Sequence, residues 1–223
     1  IATFLTFLSG GFETRHFNHV QAAGLSVVKQ SRDVAKIEAE YRFATLLPEA
    51  MKRWFVQPYK FRGDGEAASY EMERLRVADM AIIWIHGAID LDGFETFLDQ
   101  IFHFLDSRES KTISAEDATQ RARALYLDKL RDRLTALKAW QGFARLDGLL
   151  RDGSPYDGMD ALVAAYESRY GDYANRRGKG EARAVIGHGD LCFSNILHDK
   201  ATQLTKFVDP RGAMDEAGMW TDP

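Results

Sequence analysis

Late in the chain, His188-Gly189-Asp190-Leu191-Cys192-Phe193-Ser194-Asn195-Ile196-Leu197 is followed after a short turn by Phe207-Val208-Asp209-Pro210-Arg211-Gly212. These strings place two carboxylates and an amide, Asp190, Asn195 and Asp209, in close succession. Such groups can accept or orient a hydroxyl proton and offer hard oxygen ligands to a divalent cation beside phosphates. A lone Asp or Asn in a turn would only bond its own backbone. Here the apolar runs on either side argue for more. Ala184-Val185-Ile186-Gly187 leads into the first string and Leu204 to Val208 ends at Asp209, so two brief strands flanking a loop would bring the aspartates together.

The elements that must position these groups are read from period and punctuation. Ile1 to Leu8 is an apolar, β-prone run, Ser9-Gly10-Gly11 marks a turn, and Phe12 to Val20 returns as a second strand. Leu25-Ser26-Val27-Val28-Lys29 reads as a third strand ending in a lysine. Asp33 can cap a helix from Val34 to Leu47, stopped by Pro48. Phe55 to Phe61 and Ala67 to Leu75 flank Arg62-Gly63-Asp64-Gly65 and predict two more strands completing an antiparallel sheet. Beyond Leu75 apolar residues recur every three or four positions, predicting helices over Gly93 to Leu105, Ser114 to Leu137 and Met159 to Tyr170, with Ser114, Asp117 and Asp160 as candidate caps. Arg151 to Gly158 and Asn175 to Glu181 read as loops. There is no internal repeat and no low-complexity tract.

The two late strings resemble the catalytic loop and the following aspartate-terminated strand of the aminoglycoside phosphotransferase and choline kinase family. The likeness follows the whole chain in order, but residues 184–212 carry its specificity. It implies a two-lobe, protein-kinase-like α+β fold: an N-lobe over residues 1–75, with a small antiparallel sheet and one helix, and a mainly helical C-lobe over 76–223. The chain opens without methionine and stops just past the motif-rich stretch, so both ends are read as trimmed. The implied activity is transfer of the γ-phosphoryl of ATP or GTP to a hydroxyl of a small molecule, with Mg²⁺. Asp190 would then be the catalytic base, His188 a brace for its loop, and Asn195 and Asp209 the metal ligands. Lys29, after Val27-Val28, corresponds to the strand lysine that grips nucleotide phosphates. Its carboxylate partner would come from the next helix, where Glu40 suits the family pattern better than Glu38. Gly10 and Gly11 stand where the family has its phosphate-covering loop, and Glu73 and Leu75 in Tyr70-Glu71-Met72-Glu73-Arg74-Leu75 stand at the interlobe hinge whose main chain binds adenine.

The sequence departs from the protein kinases proper. Pro-Arg-Gly, not Phe-Gly, follows Asp209, and Cys192 stands two places after Asp190 where those enzymes carry lysine; a packing role in an apolar loop is the expectation for that thiol. His19, His86 and His103 lack the spacing of a zinc site, Arg176-Arg177-Gly178-Lys179 reads as a solvated loop, and Trp84 with Phe94, Phe97, Phe102 and Phe104 reads as helix core.

The totals leave room for this reading. The 223 residues, 45% apolar and 28% charged, suit a folded chain rather than a disordered one. A net charge of −4 disfavours nucleic acid as a partner. Cys192 is the single cysteine, which fits a reducing, cytoplasmic compartment. No run is long and apolar enough for a membrane span, so a membrane is not expected as a partner either. Two other classes stay open: a nucleotide-binding pseudokinase or regulatory module without turnover, and a metal-dependent hydrolase using Asp190 and Asp209. The acceptor, a sugar or an amino alcohol, and the oligomeric state are not specified by these residues.

Overall fold

The computed structural model describes residues 18–23, 25–176 and 181–221. The opening run Ile1 to Leu8 and the candidate phosphate loop with Gly10 and Gly11 lie outside the described residues, as do Arg177, Gly178 and Lys179. The chain is a mixed α/β protein of small antiparallel sheets and many helices. It divides into two compact units, one of residues 1–110 with 185–221 and one of residues 111–184 with 222–223. Leu75 and Arg76, where the sequence reading sets its lobe boundary, both lie inside the first.

The first unit opens with β1 (Asn18–Ala23), β2 (Ser26–Ser31), α1 (Val34–Leu46), the short α2 (Glu49–Lys52), β3 (Pro58–Gly63) and β4 (Ala68–Glu73). The four strands form one antiparallel sheet in the order β1-β2-β4-β3. Side chains alternate across a strand, and in β2 the buried positions are Val27, Lys29 and Ser31. Lys29 therefore stands in mid-strand on the covered face, not at a strand end. α1 begins where Asp33 accepts a hydrogen bond from the Lys36 N–H at 3.1 Å, and it stops before Pro48. Its buried residues Ile37, Glu40, Phe43 and Ala44 form one stripe. Ile37 joins Ala68 and Tyr70 of β4 in a small core that Tyr41 and Phe61 border.

α3 (Met80–Ile85) and α4 (Leu91–Ser107) follow, capped by Asp79 and Asp90. α4 extends two residues past each end of its expected range. Phe97 and Phe104 are buried in it as expected, but Phe102 and Trp84 are more than half exposed and do not belong to the core. The reason is angular: Phe97, Ile101 and Phe104 keep helical spacing, whereas Phe102 falls off that stripe. Trp84, near the end of α3, packs its ring against Phe94 at 4.8 Å from outside the buried cluster.

The second unit begins within β5 (Ser110–Ile113) and contains α5 (Ala115–Arg123), a π-helical turn (Ala124–Asp128), α6 (Lys129–Lys138), α7 (Phe143–Gly153) and α8 (Gly158–Arg176), ending within β6 (Ala182–Ile186). Ser114 caps α5 as its spacing predicts. The expected helix from Ser114 to Leu137 is met by a continuous helical run from Ala115 to Lys138 that widens into the π-helical turn at Ala124–Asp128. The expected loop from Arg151 starts inside α7, and α8 runs to Arg176, six residues past the predicted Tyr170. Within this unit Arg131 pairs with Glu167 at 2.7 Å, joining α6 to α8.

The chain then re-enters the first unit. After β6 come a 3₁₀ turn (Phe193–Asn195), β7 (Ile196–Asp199), β8 (Leu204–Phe207), α9 (Glu216–Met219) and β9 (Trp220–Thr221). β8 pairs with β7 in an antiparallel hairpin, while Val185 and Ile186 of β6 face Thr221 and Trp220 of β9. The two apolar runs flanking the motif therefore do not pair with each other. Phe43, Phe55, Met80, Phe97, Phe104, Ile186, Ile196 and Phe207 belong to one buried cluster, so the same core supports the sheet-bearing helix and the motif loops. No described helix is long and apolar enough to cross a membrane.

Candidate active site

Lys29 is 1% exposed, and an ammonium buried to that degree needs compensating charge. Two carboxylates supply it. Lys29 Nζ donates to Glu40 Oε2 at 2.6 Å and to Asp209 Oδ1 at 2.8 Å. Burial works against the charged amine, but Asp209 and Glu40 outweigh it and hold the Lys29 pKa above its ordinary value. Glu40, not Glu38, faces the lysine: Glu38 is on the outer side of α1, paired with Arg42. Sequence position explains the choice, since Glu40 lies three residues from Ile37 and four from Ala44 on the buried stripe.

Tyr70 completes this cluster, a role the sequence reading did not give it. Its hydroxyl donates to Glu40 Oε2 at 2.9 Å, and it is the cross-strand partner of Lys29, so both point to the same face of the sheet. Burial first, and then the neighbouring carboxylates, raise the Tyr70 pKa well above its usual value, which keeps the phenol a donor. The available signal was the alternation of β4, where Ala68 and Tyr70 are buried.

The motif strings are stapled to each other through their main chains. His188 is 2% exposed; its Nδ1 accepts from the Asp190 N–H at 3.3 Å, which leaves Nε2 to donate to the Val208 carbonyl at 2.8 Å. The ring stacks on Phe55 at 5.8 Å. The Arg211 N–H donates to the His188 carbonyl at 2.7 Å and the Val208 N–H to the Asn195 carbonyl at 3.0 Å. Asn195 Nδ2 donates to the Asp190 carbonyl at 2.8 Å, which commits the amide nitrogen and leaves its oxygen as an acceptor. Asp190 itself is exposed, and the hydrogen bonds that shape its loop run through its main chain. Cys192 is exposed, with Sγ 3.2 Å from Ser194 Oγ, so the packing role expected for it does not hold; the loop turns that side chain outward.

Backbone conformation makes these approaches possible. Gly189 has φ +79°, and a Cβ there would lie 2.5 Å from the Arg211 Cβ. Asp209 adopts φ +56°, a left-handed conformation that Asp tolerates better than most residues and that is a typical place for strain at a functional position. Gly212 lies against α1: an added Cβ would meet the Ala39 carbonyl carbon at 2.5 Å, and the next N–H, of Ala213, donates to the Ala39 carbonyl at 3.0 Å. The segment that carries Asp209 is thereby fixed to the helix that carries Glu40. Gly212→Ala is expected to destabilise the protein by about 1–3 kcal/mol through overpacking, whereas Gly148→Ala in α7, where a Cβ meets nothing within 4 Å, is not. Urea denaturation of both variants checks the contrast.

His188 and the buried His198 set an acid limit on stability. Burial lowers the His188 pKa despite the Val208 hydrogen bond and the nearby Asp190 and Asp209, and burial lowers that of His198 despite Asp199. The folded state then binds fewer protons than the unfolded one between the folded values and about 6.5. Stability from these groups is complete above that unfolded value and is lost as pH falls toward and through the folded ones. Melting temperatures should drop between pH 7 and 5.5, and the drop should be smaller in His188→Gln; an unchanged drop in that variant would exclude His188 as a source.

Glu73 ends β4, where it faces Ser26 of β2, and Leu75 lies in the coil that follows, after Arg74 N–H donates to the Leu25 carbonyl at 3.0 Å. Among the described residues no group of three or more His, Cys, Asp or Glu side chains is arranged to hold a metal ion. The donors present at the motif are sparser: the half-exposed Asp209 carboxylate and the Asn195 amide oxygen. That set fits Mg²⁺, which is commonly held by one or two protein oxygens plus substrate phosphates and water.

No protein-family model and no curated protein matches the chain. Fourteen chains of solved structures do. One is the crystal structure of Rad53 1-466 in complex with AMP-PNP, at 17% identity and a TM-score of 0.39, over 93% of this chain. The match spans 38% of that chain's length. A likeness of that degree leaves the chemistry to be read from the residues themselves.

Proposed function

We propose that this chain is the catalytic part of a nucleotide-dependent phosphotransferase that phosphorylates a hydroxyl of a small molecule, in the manner of the aminoglycoside phosphotransferase and choline kinase family that its motifs resemble. One observation carries the reading: a fully buried lysine on a sheet, held by a helix carboxylate and by the aspartate that ends the second apolar run, beside a loop that leaves a third carboxylate, Asp190, exposed. Buried ion pairs cost desolvation energy and are weak stabilisers. A site that retains one amine with two carboxylates is better accounted for by chemistry than by stability.

In this proposal Lys29 binds the nucleotide phosphates as a point charge, with Glu40 fixing the direction of its amine. The main chain around Glu73 and Leu75 receives the base. Asn195 and Asp209 hold Mg²⁺, which neutralises phosphate charge when bound. Asp190 accepts the proton of the acceptor hydroxyl as its oxygen attacks the terminal phosphorus and the bond to the leaving nucleoside diphosphate breaks. His188 keeps the loop in register through its two main-chain bonds. Catalysis is thus positioning and charge neutralisation, with no covalent enzyme intermediate.

A sugar or an amino alcohol is the acceptor class proposed. The test is consumption of ATP and of GTP, with Mg²⁺, over a panel of sugars, amino alcohols and aminoglycosides. Acceptor-dependent nucleoside diphosphate release supports the proposal. Mg²⁺-dependent nucleotide binding without turnover on any acceptor would replace it with a regulatory nucleotide-binding module. Hydrolysis of phosphoesters in the absence of nucleotide would replace it with a hydrolase.

A further inference from the structure

Glu40 has two possible allegiances. Its Oε2 accepts from Lys29 at 2.6 Å and from Tyr70 at 2.9 Å inside the protein, while its Oε1 is 3.9 Å from Nζ of Lys36, one turn earlier on α1 and half exposed. A carboxylate is more easily hydrated at the helix surface than in the core, so solvation and Lys36 favour an outward Glu40, and Lys29 and Tyr70 an inward one. The choice matters because Lys29 is shared. Were Glu40 to turn outward, the buried amine would keep Asp209 as its sole anionic partner among the bonds it makes here. That carboxylate would then be engaged by a cation of the protein itself.

We propose that Tyr70 is a positioning residue: its hydroxyl holds Glu40 inward, so that Lys29 is anchored by Glu40 and Asp209 can be released to a divalent cation. The inference rests on the reading of this site as a metal-dependent nucleotide centre. It goes further in assigning the selection between two lysine arrangements to a residue that touches neither nucleotide nor metal. The geometry suits the task. Tyr70 is 4% exposed, is the cross-strand partner of Lys29, and belongs to the same buried cluster as Ile37 of α1, so the ring is fixed from both the sheet and the helix. Lys29 Nζ lies 6.0 Å from the ring centroid, which leaves the hydroxyl as the group that reaches Glu40.

The test uses the full chain and four forms: wild type, Tyr70→Phe, Lys36→Gln and the double variant. Binding of a non-hydrolysable ATP analogue is titrated by calorimetry at a series of Mg²⁺ concentrations, and each form is melted to verify that it folds. Phenylalanine preserves the ring packing and removes one hydrogen bond. Tyr70→Phe should raise the Mg²⁺ concentration that half-saturates analogue binding by about fivefold, the weight of one such bond. Lys36→Gln alone should bind as wild type, and in the double variant the loss of the outward pull should restore at least half of the shift. An unchanged Mg²⁺ requirement in Tyr70→Phe overturns the proposal, as does a shift that Lys36→Gln leaves untouched, since a purely structural role for the phenol predicts lower stability without rescue. If the wild type itself binds the analogue independently of Mg²⁺, the nucleotide-centre reading fails first and this inference falls with it; that outcome is recognisable because it appears before any substitution is made.

Discussion

Asp190→Asn is expected to cut phosphoryl transfer by about a thousandfold, the scale of losing a positioned general base, with nucleotide affinity and melting temperature close to wild type. The asparagine keeps the shape of the side chain but cannot take up the acceptor proton. The fold should tolerate the change because Asp190 is exposed and the bonds that form its loop, to His188, Asn195 and Cys192, all use its main chain. Steady-state kinetics with the acceptor found by the panel separates the possibilities. A fall confined to kcat fits an interaction made in the transition state, whereas a rise in the acceptor KM with kcat intact would mean that Asp190 merely binds substrate. Undiminished turnover would refute the assignment.

Asp209→Ala should abolish transfer by a different route. It removes a proposed metal ligand and one of the two anions around Lys29, so both nucleotide affinity in Mg²⁺ and turnover should fall, turnover by about a thousandfold. Stability should fall modestly, by about 1–2 kcal/mol, because alanine is strained at φ +56° and Lys29 keeps Glu40 but loses its second anion. The expected signature is therefore loss of the Mg²⁺ effect on nucleotide binding in a protein that still folds and melts cooperatively. A variant that still turns over as wild type would show that Asp209 serves the Lys29 charge alone.

The parts of this site that could be read from sequence are those where spacing is itself a geometric statement. The segments carrying Asp190, Asn195 and Asp209 are tied through their main chains, Asn195 Nδ2 to the Asp190 carbonyl and the Val208 N–H to the Asn195 carbonyl, because only a short turn and a hairpin separate them, and α1 is legible from Asp33, its apolar period and Pro48. The carboxylate facing Lys29 was open between Glu38 and Glu40 when read from motif alone. The helical period decides it, since Glu40 shares the stripe of Ile37 and Ala44 while Glu38 points to Arg42. Local alternation marks Tyr70 as an inward residue of β4, but its role depends on the register that sets it opposite Lys29, a relation between strands about forty residues apart.

Other misreadings have equally physical causes. β7 is not legible in the sequence because Ile196-Leu197-His198-Asp199 has no period-two alternation; Ile196, Leu197 and His198 are all buried. A strand buried on both faces hides in that way. Cys192 was assigned to packing from residue type, but the 3₁₀ turn that follows it, Phe193–Asn195, sets Cys192 and Ser194 outward while Ile196 enters the core. α3 is not legible because six residues are too few to establish a helical period, and residue type alone puts Phe102 in the core whereas its angular position puts it outside.

The proposed chemistry requires that Asn195 and Asp209 hold a divalent cation beside Lys29. The direct measurement is a crystal structure of the protein with Mn²⁺ and a non-hydrolysable ATP analogue, with anomalous data collected to locate the metal. An anomalous peak is expected within bonding distance of Asp209 and of the Asn195 amide oxygen, with Lys29 Nζ on a phosphate oxygen and Glu40 still paired to it. A nucleotide bound elsewhere, or a metal bound away from Asp209, would contradict that chemistry.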